Sequence, residues 1–127
     1  MSHGRFVTVI NCMDGRTQIP VSEWLRQRYR ADYVDTITEP GPDRILAAGQ
    51  DEAAVVSIRS RVAISVEKHG SRLVAIVGHH DCAGNPVDKA SHVRQLRLAA
   101  DAVRAWGFPV EVLLLWVGEN WQVEPLA

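Results

Sequence analysis

The chain alternates short apolar runs, rich in β-branched residues, with longer segments whose apolar residues recur at helical spacing. Strands are predicted at residues 5–11, 33–38, 73–77 and 110–117, and helices at 20–30, 51–69 and 85–106. Continuous apolar strands are typical of a sheet covered on both faces. Strands alternating with helices through short connections imply a parallel sheet. The predicted fold class is therefore α/β, with three layers: a central, mostly parallel four-stranded sheet and helices on both faces.

The strand order follows from the handedness of the connections. Right-handed crossovers favour the order 2-1-3-4, in which the chain reverses its direction across the sheet between the first and third strands. Ligands of open α/β sheets bind at such a switch point, outside the carboxyl ends of the strands. Cys12 follows the first predicted strand, and the segment 78–84 follows the third. We therefore expect these two loops to meet in one site.

Length and composition limit the classes of protein that are compatible with this chain. With 127 residues, 46% of them hydrophobic, it suits a single domain covering residues 1–127. The net charge is −1 and the basic residues are scattered, which gives no footprint for nucleic acid or membrane. We find no secretion signal, and the two cysteines do not resemble a disulfide framework. The expected location is the cytoplasm.

The chemistry of the two loops suggests a metal site. Cys12, His79 and Cys82 supply two thiolates and an imidazole, a ligand set that suits zinc and leaves a fourth position open. We expect His79 and Cys82 to share one side of a helical turn. If the loop after Cys12 is extended, Asp14 and Arg16 point the same way as Cys12, and Arg16 orients the Asp14 carboxylate.

Simpler explanations of these residues stay open. A buried cysteine is often only a small apolar residue. Cys12 and Cys82 could form a redox disulfide if their Cα atoms come within ~7 Å. Asp14 and Arg16 could be a structural ion pair.

The metal interpretation also makes the whole site neutral, because two thiolates balance zinc and Asp14 balances Arg16. A neutral site suits a small neutral electrophile better than a polyanion.

Two segments resemble motifs of the β-class carbonic anhydrases. Residues 12–16, Cys-Met-Asp-Gly-Arg, resemble the family's Cys-x-Asp-Ser-Arg, and residues 78–84 resemble its Gly-His-x-x-Cys-Gly-Gly. The resemblance implies zinc held by Cys12, His79 and Cys82 and a catalytic dyad of Asp14 and Arg16. It also implies reversible hydration of carbon dioxide to bicarbonate by zinc-bound hydroxide, in a homodimer or higher oligomer. In some members the aspartate takes the fourth zinc position.

Several departures from the family pattern leave alternatives open. Gly15 replaces the motif serine, and residues 38–42 replace a segment that lines the substrate cleft in many members. Hydrolysis of carbonyl sulfide or carbon disulfide, known in the same family, is one alternative, and a non-catalytic zinc-stabilised binding or sensing domain is another.

His80 and Asp81 are expected to lie around the site without binding the metal. Three other histidines are expected to be exposed, and Trp121 is expected to cover a partner subunit. These histidines are His3, His69 and His92.

Overall fold

The computed structural model describes residues 4–126, in which strands and helices alternate. The strands are β1 (Phe6–Cys12), β2 (Tyr33–Glu39), β3 (Leu73–His79), β4 (Glu111–Val117) and β5 (Val123–Pro125). The helices are α1 (Gln18–Tyr29), α2 (Pro42–Ala48), α3 (Glu52–His69) and α4 (Lys89–Ala105), with a 3-10 turn at Gly15–Thr17.

The strands form one sheet in the order β2-β1-β3-β4-β5. The first four in this order run parallel, and β5 pairs antiparallel with the end of β4. Ile10 of β1 lies between Ile37 and Ile76 in this register. The predicted α/β class and the order 2-1-3-4 are therefore confirmed, and the structure adds a fifth strand.

Both faces of the sheet are covered, as predicted. Neighbouring residues of β1 point to opposite sides, so Ile10 enters one apolar cluster and Val9 the other. Helices α3 and α4 supply the first cluster through residues such as Ile58 and Leu96, while α1 supplies the second through Leu25. Every residue of β3 is buried. The central strand is thus fixed from both sides, and its last residue has a well-defined position.

Two short elements were not predicted. Residues 39–42 were expected to form only a rigid loop, but Pro42 begins α2, because a first-turn proline needs no hydrogen-bond partner for its nitrogen. β5 has three residues, one of them a proline, and carries no alternating pattern. The last helix begins at Lys89, later than expected, with Asp88 capping it through the amide of Ser91.

No helix within residues 4–126 is both long enough and apolar enough to cross a membrane.

Candidate metal centre

Three potential ligands meet at the carboxyl edge of the sheet. Cys12 is the last residue of β1 and His79 the last residue of β3, and these two strands are parallel neighbours. Cys82 lies in the turn that follows β3. The ligand atoms of the three residues lie within 4.8 Å of one another, and all three residues are buried. The topology therefore produces the convergence that the switch-point argument predicts.

The imidazole of His79 is oriented for a ligand. Its Nδ1 lies 2.7 Å from the carbonyl oxygen of His80, which makes Nδ1–H the donor of that bond. Nε2 is buried and has no hydrogen-bond partner. A buried nitrogen lone pair without a partner costs free energy, and a metal ion would satisfy it. The donor set, two thiols and an imidazole with a free lone pair, fits zinc.

The two cysteines are free thiols whose sulfurs lie 3.8 Å apart. The hydrogen bond from Cys82 lowers the pKa of Cys12, against the effect of burial. The same contact and burial raise the pKa of Cys82. Burial acts to lower the pKa of His79, but the nearby Cys12 sulfur and the His80 carbonyl outweigh burial and raise it. The contact between the two sulfurs therefore favours ionisation of Cys12 over ionisation of Cys82.

The turn after β3 brings Cys82 back beside His79. Asp81 has a left-handed backbone with φ 58°, and the amide of His80 donates to the carbonyl of Val117 at 2.9 Å. The expected helical turn is therefore wrong, although the expected proximity of His79 and Cys82 is observed. The left-handed residue turns the chain, and an aspartate at this position is only a weak sequence signal of it.

Asp14 and Arg16 form a bidentate ion pair, but not through an extended loop. Asp14 caps the 3-10 turn and accepts a hydrogen bond from the Arg16 amide at 2.9 Å. The guanidinium then folds back, with Nη2 at 2.7 Å from Oδ2 and Nε at 3.0 Å from Oδ1. The hydrogen bond from the Arg16 side chain lowers the pKa of Asp14 to about 2. The carboxylate is consequently ionised at neutral pH.

Arg16 also joins the two loops of the site. Its Nη1 lies 3.3 Å from Oδ2 of Asp81, and its Nη2 lies 3.1 Å from the carbonyl oxygen of Asp81. The guanidinium carbon lies 4.3 Å from the centroid of the Trp121 ring. Trp121 was expected to cover a partner subunit, and its contact with Arg16 in the same chain was not predicted.

A second, buried layer supports the loop that carries Cys82. Asn85 donates to Oδ1 of Asp43 at 3.0 Å and to Oε1 of Gln95 at 2.5 Å. Oδ2 of Asp43 lies 2.5 Å from Nδ1 of His92. The expectation that His92 is exposed is therefore wrong. Its position on the apolar stripe of α4, with Leu96, could have indicated burial.

The remaining residues that the sequence analysis singled out are not part of the ligand cluster. His80 is exposed, with its ring 6.3 Å from that of Trp121. His69 is exposed, as predicted, and lies at the opposite end of the sheet. His3 lies outside the described residues. Pro40 and Gly41, part of the segment that departs from the family pattern, pack directly against Gly84 in the metal loop.

Comparison with solved structures places this architecture among the β-carbonic anhydrases. A tetrameric β-carbonic anhydrase of Sordaria macrospora superposes with a TM-score of 0.58 at 13% identity, covering 100% of this chain and 82% of the other. CafA of Aspergillus fumigatus gives 0.57 at 15% identity, covering 98% and 76%. A cysteine-to-alanine mutant of CafD from the same fungus gives 0.59 at 14% identity, covering 99% and 91%.

These similarities define the class as a β-carbonic anhydrase fold with a Cys-His-Cys cluster at its switch point. A family model described as "Putative carbonic anhydrase" matches residues 2–127, so the chain belongs to that family of lyases. The resemblance stated from the two motifs is thereby confirmed. A search of curated proteins finds no match. The predicted zinc cofactor agrees with the family and with a cluster positioned to bind a metal.

Proposed function

We propose that the protein catalyses the reversible hydration of carbon dioxide to bicarbonate, with zinc held by Cys12, His79 and Cys82. The observation that carries this proposal is the buried, unpartnered Nε2 of His79 beside two free thiols. Zinc, when bound, acts as a Lewis acid that makes water nucleophilic near neutral pH. The protein contributes a buried cluster that has no competing hydrogen bond at Nε2 of His79.

Asp14 is the group that we assign to orienting the attacking water or hydroxide. Its carboxylate is ionised and oriented by Arg16, while its side chain keeps 19% of its surface exposed. An ionised carboxylate can accept a hydrogen bond from the attacking water. This bond orients the water so that a lone pair of its oxygen faces the substrate. Arg16 is fully engaged with Asp14 and Asp81, so it positions Asp14. The dyad is neutral overall, which favours an uncharged substrate.

Metal analysis combined with stopped-flow hydration tests the proposal. We expect about one zinc per chain. The rate of carbon dioxide hydration, followed with a pH indicator, should exceed the uncatalysed rate. Asp14→Ala should keep the zinc and lose about 10²-fold or more in kcat. Asp101→Ala, which removes the carboxylate of an exposed pair with Arg104, serves as the matched control and should be fully active. Zinc-free, well-folded protein would refute the metal assignment.

Two alternatives give different results in the same assays. Turnover of carbonyl sulfide or carbon disulfide, with little carbon dioxide hydration, would assign the sulfur substrates to this site. Bound zinc without turnover of any of the three gases would instead indicate a binding or sensing domain. Equal activity of wild type and Asp14→Ala would remove Asp14 from the mechanism.

We also propose that the chain is a single domain that assembles into a homo-oligomer and works in the cytoplasm. Support for the oligomer comes from the tetrameric Sordaria macrospora enzyme and from exposed apolar side chains next to the dyad loop, Met13 and Ile19. Two free thiols suit a reducing compartment. Analytical ultracentrifugation tests the assembly, and a monomer at micromolar concentration would contradict it.

A further inference from the structure

Trp121 lies over the Arg16 side chain in a backbone conformation that tryptophan rarely adopts. The residue follows β4 and has φ 59°, in the left-handed region. Its ring centroid is 4.3 Å from the Arg16 guanidinium carbon and 6.1 Å from the centroid of the His79 ring. We propose that Trp121 is a positioning residue whose indole clamps Arg16 and thereby fixes the Asp14 carboxylate. This inference rests on the proposed function.

The turn that carries Trp121 is closed by its own backbone. The amide of Trp121 donates to the carbonyl of Gly118 at 2.9 Å, and the amide of Gly118 donates to the carbonyl of Gln122 at 3.2 Å. The side chain of Asn120 accepts from the amide of Gln122 at 3.1 Å. Glycine or asparagine would adopt the left-handed position at lower cost. A bulky residue there points to a contact made by its side chain.

The contacts of Arg16 leave one role for the ring. Asp14 occupies one edge of the guanidinium through Nε and Nη2, and Asp81 accepts from Nη1 and Nη2. These bonds use the N–H groups of the guanidinium. Its carbon lies over the indole ring of Trp121, where aromatic rings attract cations. Arg16 keeps 47% of its side-chain surface exposed, so without the ring the guanidinium gains room to tilt.

A tilt of the guanidinium changes the direction of the Asp14 carboxylate, because the two are joined by a bidentate pair. The effect reaches the reaction through Asp14 and leaves substrate access unchanged. Loss of the ring should therefore lower kcat and leave KM nearly constant. The indole also packs against the apolar cluster that includes Val123, so a purely structural role is the competing explanation.

The contact itself can be measured without any enzyme assay. In protein labelled with ¹⁵N-arginine, the Nε–H resonance of Arg16, assigned through Arg16→Lys, should carry a ring-current shift from Trp121. Trp121→Ala should abolish this shift, and Trp121→Phe should keep part of it. The experiment works on metal-free and zinc-loaded protein alike. An Arg16 resonance that does not respond to Trp121→Ala would overturn the clamp.

Kinetics then separate positioning from structure. Trp121→Ala and Trp121→Asn should each lower kcat by about 3- to 10-fold with KM within about twofold, and Trp121→Phe should recover most of kcat. Asparagine tolerates the left-handed backbone, so Trp121→Asn keeps the turn even where alanine strains it. Arg28→Ala, which removes another arginine from an aromatic face at Tyr29, is the control and should leave kcat unchanged.

A double-mutant cycle provides the decisive comparison. In an Arg16→Lys background, replacing Trp121 should cause no further loss of kcat, because the clamped guanidinium is already absent. The same fold loss in both backgrounds would overturn the proposal and assign the indole to the substrate pocket directly. Full activity of Trp121→Asn would overturn it as well. Wild-type protein without hydration activity would refute the proposed function and the positioning role with it, whereas the arginine resonance would still report the contact.

Discussion

The Asp43 carboxylate and the His92 imidazole lie 2.5 Å apart, Oδ2 to Nδ1, and both side chains are wholly buried. They lie directly beneath Gly78, where an added Cβ would be 3.0 Å from Oδ2 of Asp43. Oδ1 of Asp43 accepts from Asn85 in the metal loop. The pair therefore connects α2 and α4 and packs against the end of β3 at Gly78, the residue before His79.

Asp43→Ala should destabilise the protein by roughly 2–4 kcal/mol, because it leaves the buried His92 without its carboxylate and removes one of the acceptors of Asn85. Asp43→Ala combined with His92→Leu should recover part of this loss, since replacing both polar partners removes most of the unmatched groups. Urea denaturation followed by circular dichroism measures both. The exposed Asp101→Ala should change stability by less than about 0.5 kcal/mol. A loss from Asp43→Ala no larger than this control would show that the buried pair is not stabilising.

Gly84 should be intolerant of substitution, in contrast to Gly15. A Cβ at Gly84 would lie 2.5 Å from the carbonyl carbon of Pro40 and 2.9 Å from the Gly41 nitrogen, both backbone atoms that cannot rotate away. Gly84→Ala should cost about 2 kcal/mol or more, and weaken zinc binding by displacing the loop that carries Cys82.

Gly15→Ala is the matched control for this change. Apart from its chain neighbours and the backbone of its own turn, nothing lies within 4 Å of a Cβ built there, so stability and zinc content should stay unchanged. Competition with a colorimetric chelator measures the zinc affinity of each variant. Equal zinc affinity in Gly84→Ala and Gly15→Ala would contradict the packing argument. Gly15→Ser, which restores the family's motif residue, should also fold normally.

The sequence was sufficient for the parts of this site that depend on strand ends. Apolar runs located β1 and β3, and the handedness of crossovers placed Cys12 beside His79 and Cys82. The side-chain directions in the loops were not predictable in the same way. Asp81 and Trp121 adopt left-handed backbones. Aspartate tolerates this conformation better than most residues but is common elsewhere, and tryptophan disfavours it, so neither residue type predicted the turn.

The sequence patterns also did not predict the short helix α2 or the burial of the polar residue His92. Helix α2 has seven residues and follows a proline-rich segment that reads as a breaker. His92 is buried because Asp43, on a different helix, supplies its partner. Such a pairing depends on tertiary placement, and a histidine on an apolar stripe gives only a weak signal of it.

Zinc should protect the two cysteines from oxidation. Their sulfurs lie 3.8 Å apart as free thiols, so small movements would allow a disulfide. Metal-free protein treated with hydrogen peroxide should lose both thiols together as they form one disulfide and the peroxide is reduced to water. Zinc-loaded protein should react much more slowly, because its sulfurs are engaged with the metal.

Thiol titration and intact mass measure this difference. Cys82→Ser keeps one sulfur and cannot form the intramolecular disulfide, so it separates pairing from overoxidation of Cys12. Identical oxidation rates with and without zinc would show that the metal is not bound by these sulfurs.

The Asp14 carboxylate should make a distinct contribution to acid stability. The Arg16 side-chain hydrogen bond lowers the pKa of Asp14 from 3.8 to about 2 in the folded protein. A lowered folded-state pKa stabilises the protein above the unfolded value, and this stabilisation is lost as pH falls from about 4 toward 2. Asp14→Asn should remove that part of the pH dependence, and Arg16→Ala should return the pKa of Asp14 toward 3.8.

Carboxyl ¹³C shifts followed by NMR measure the pKa of Asp14 directly, and acid denaturation measures the consequence for stability. Both experiments need a chelator, so that release of zinc in acid does not contribute. Asp101→Asn, in an exposed pair with longer geometry, should leave the acid limb of the stability curve unchanged. If Arg16→Ala left the Asp14 titration where it is in wild type, the guanidinium would not be what keeps this carboxylate ionised.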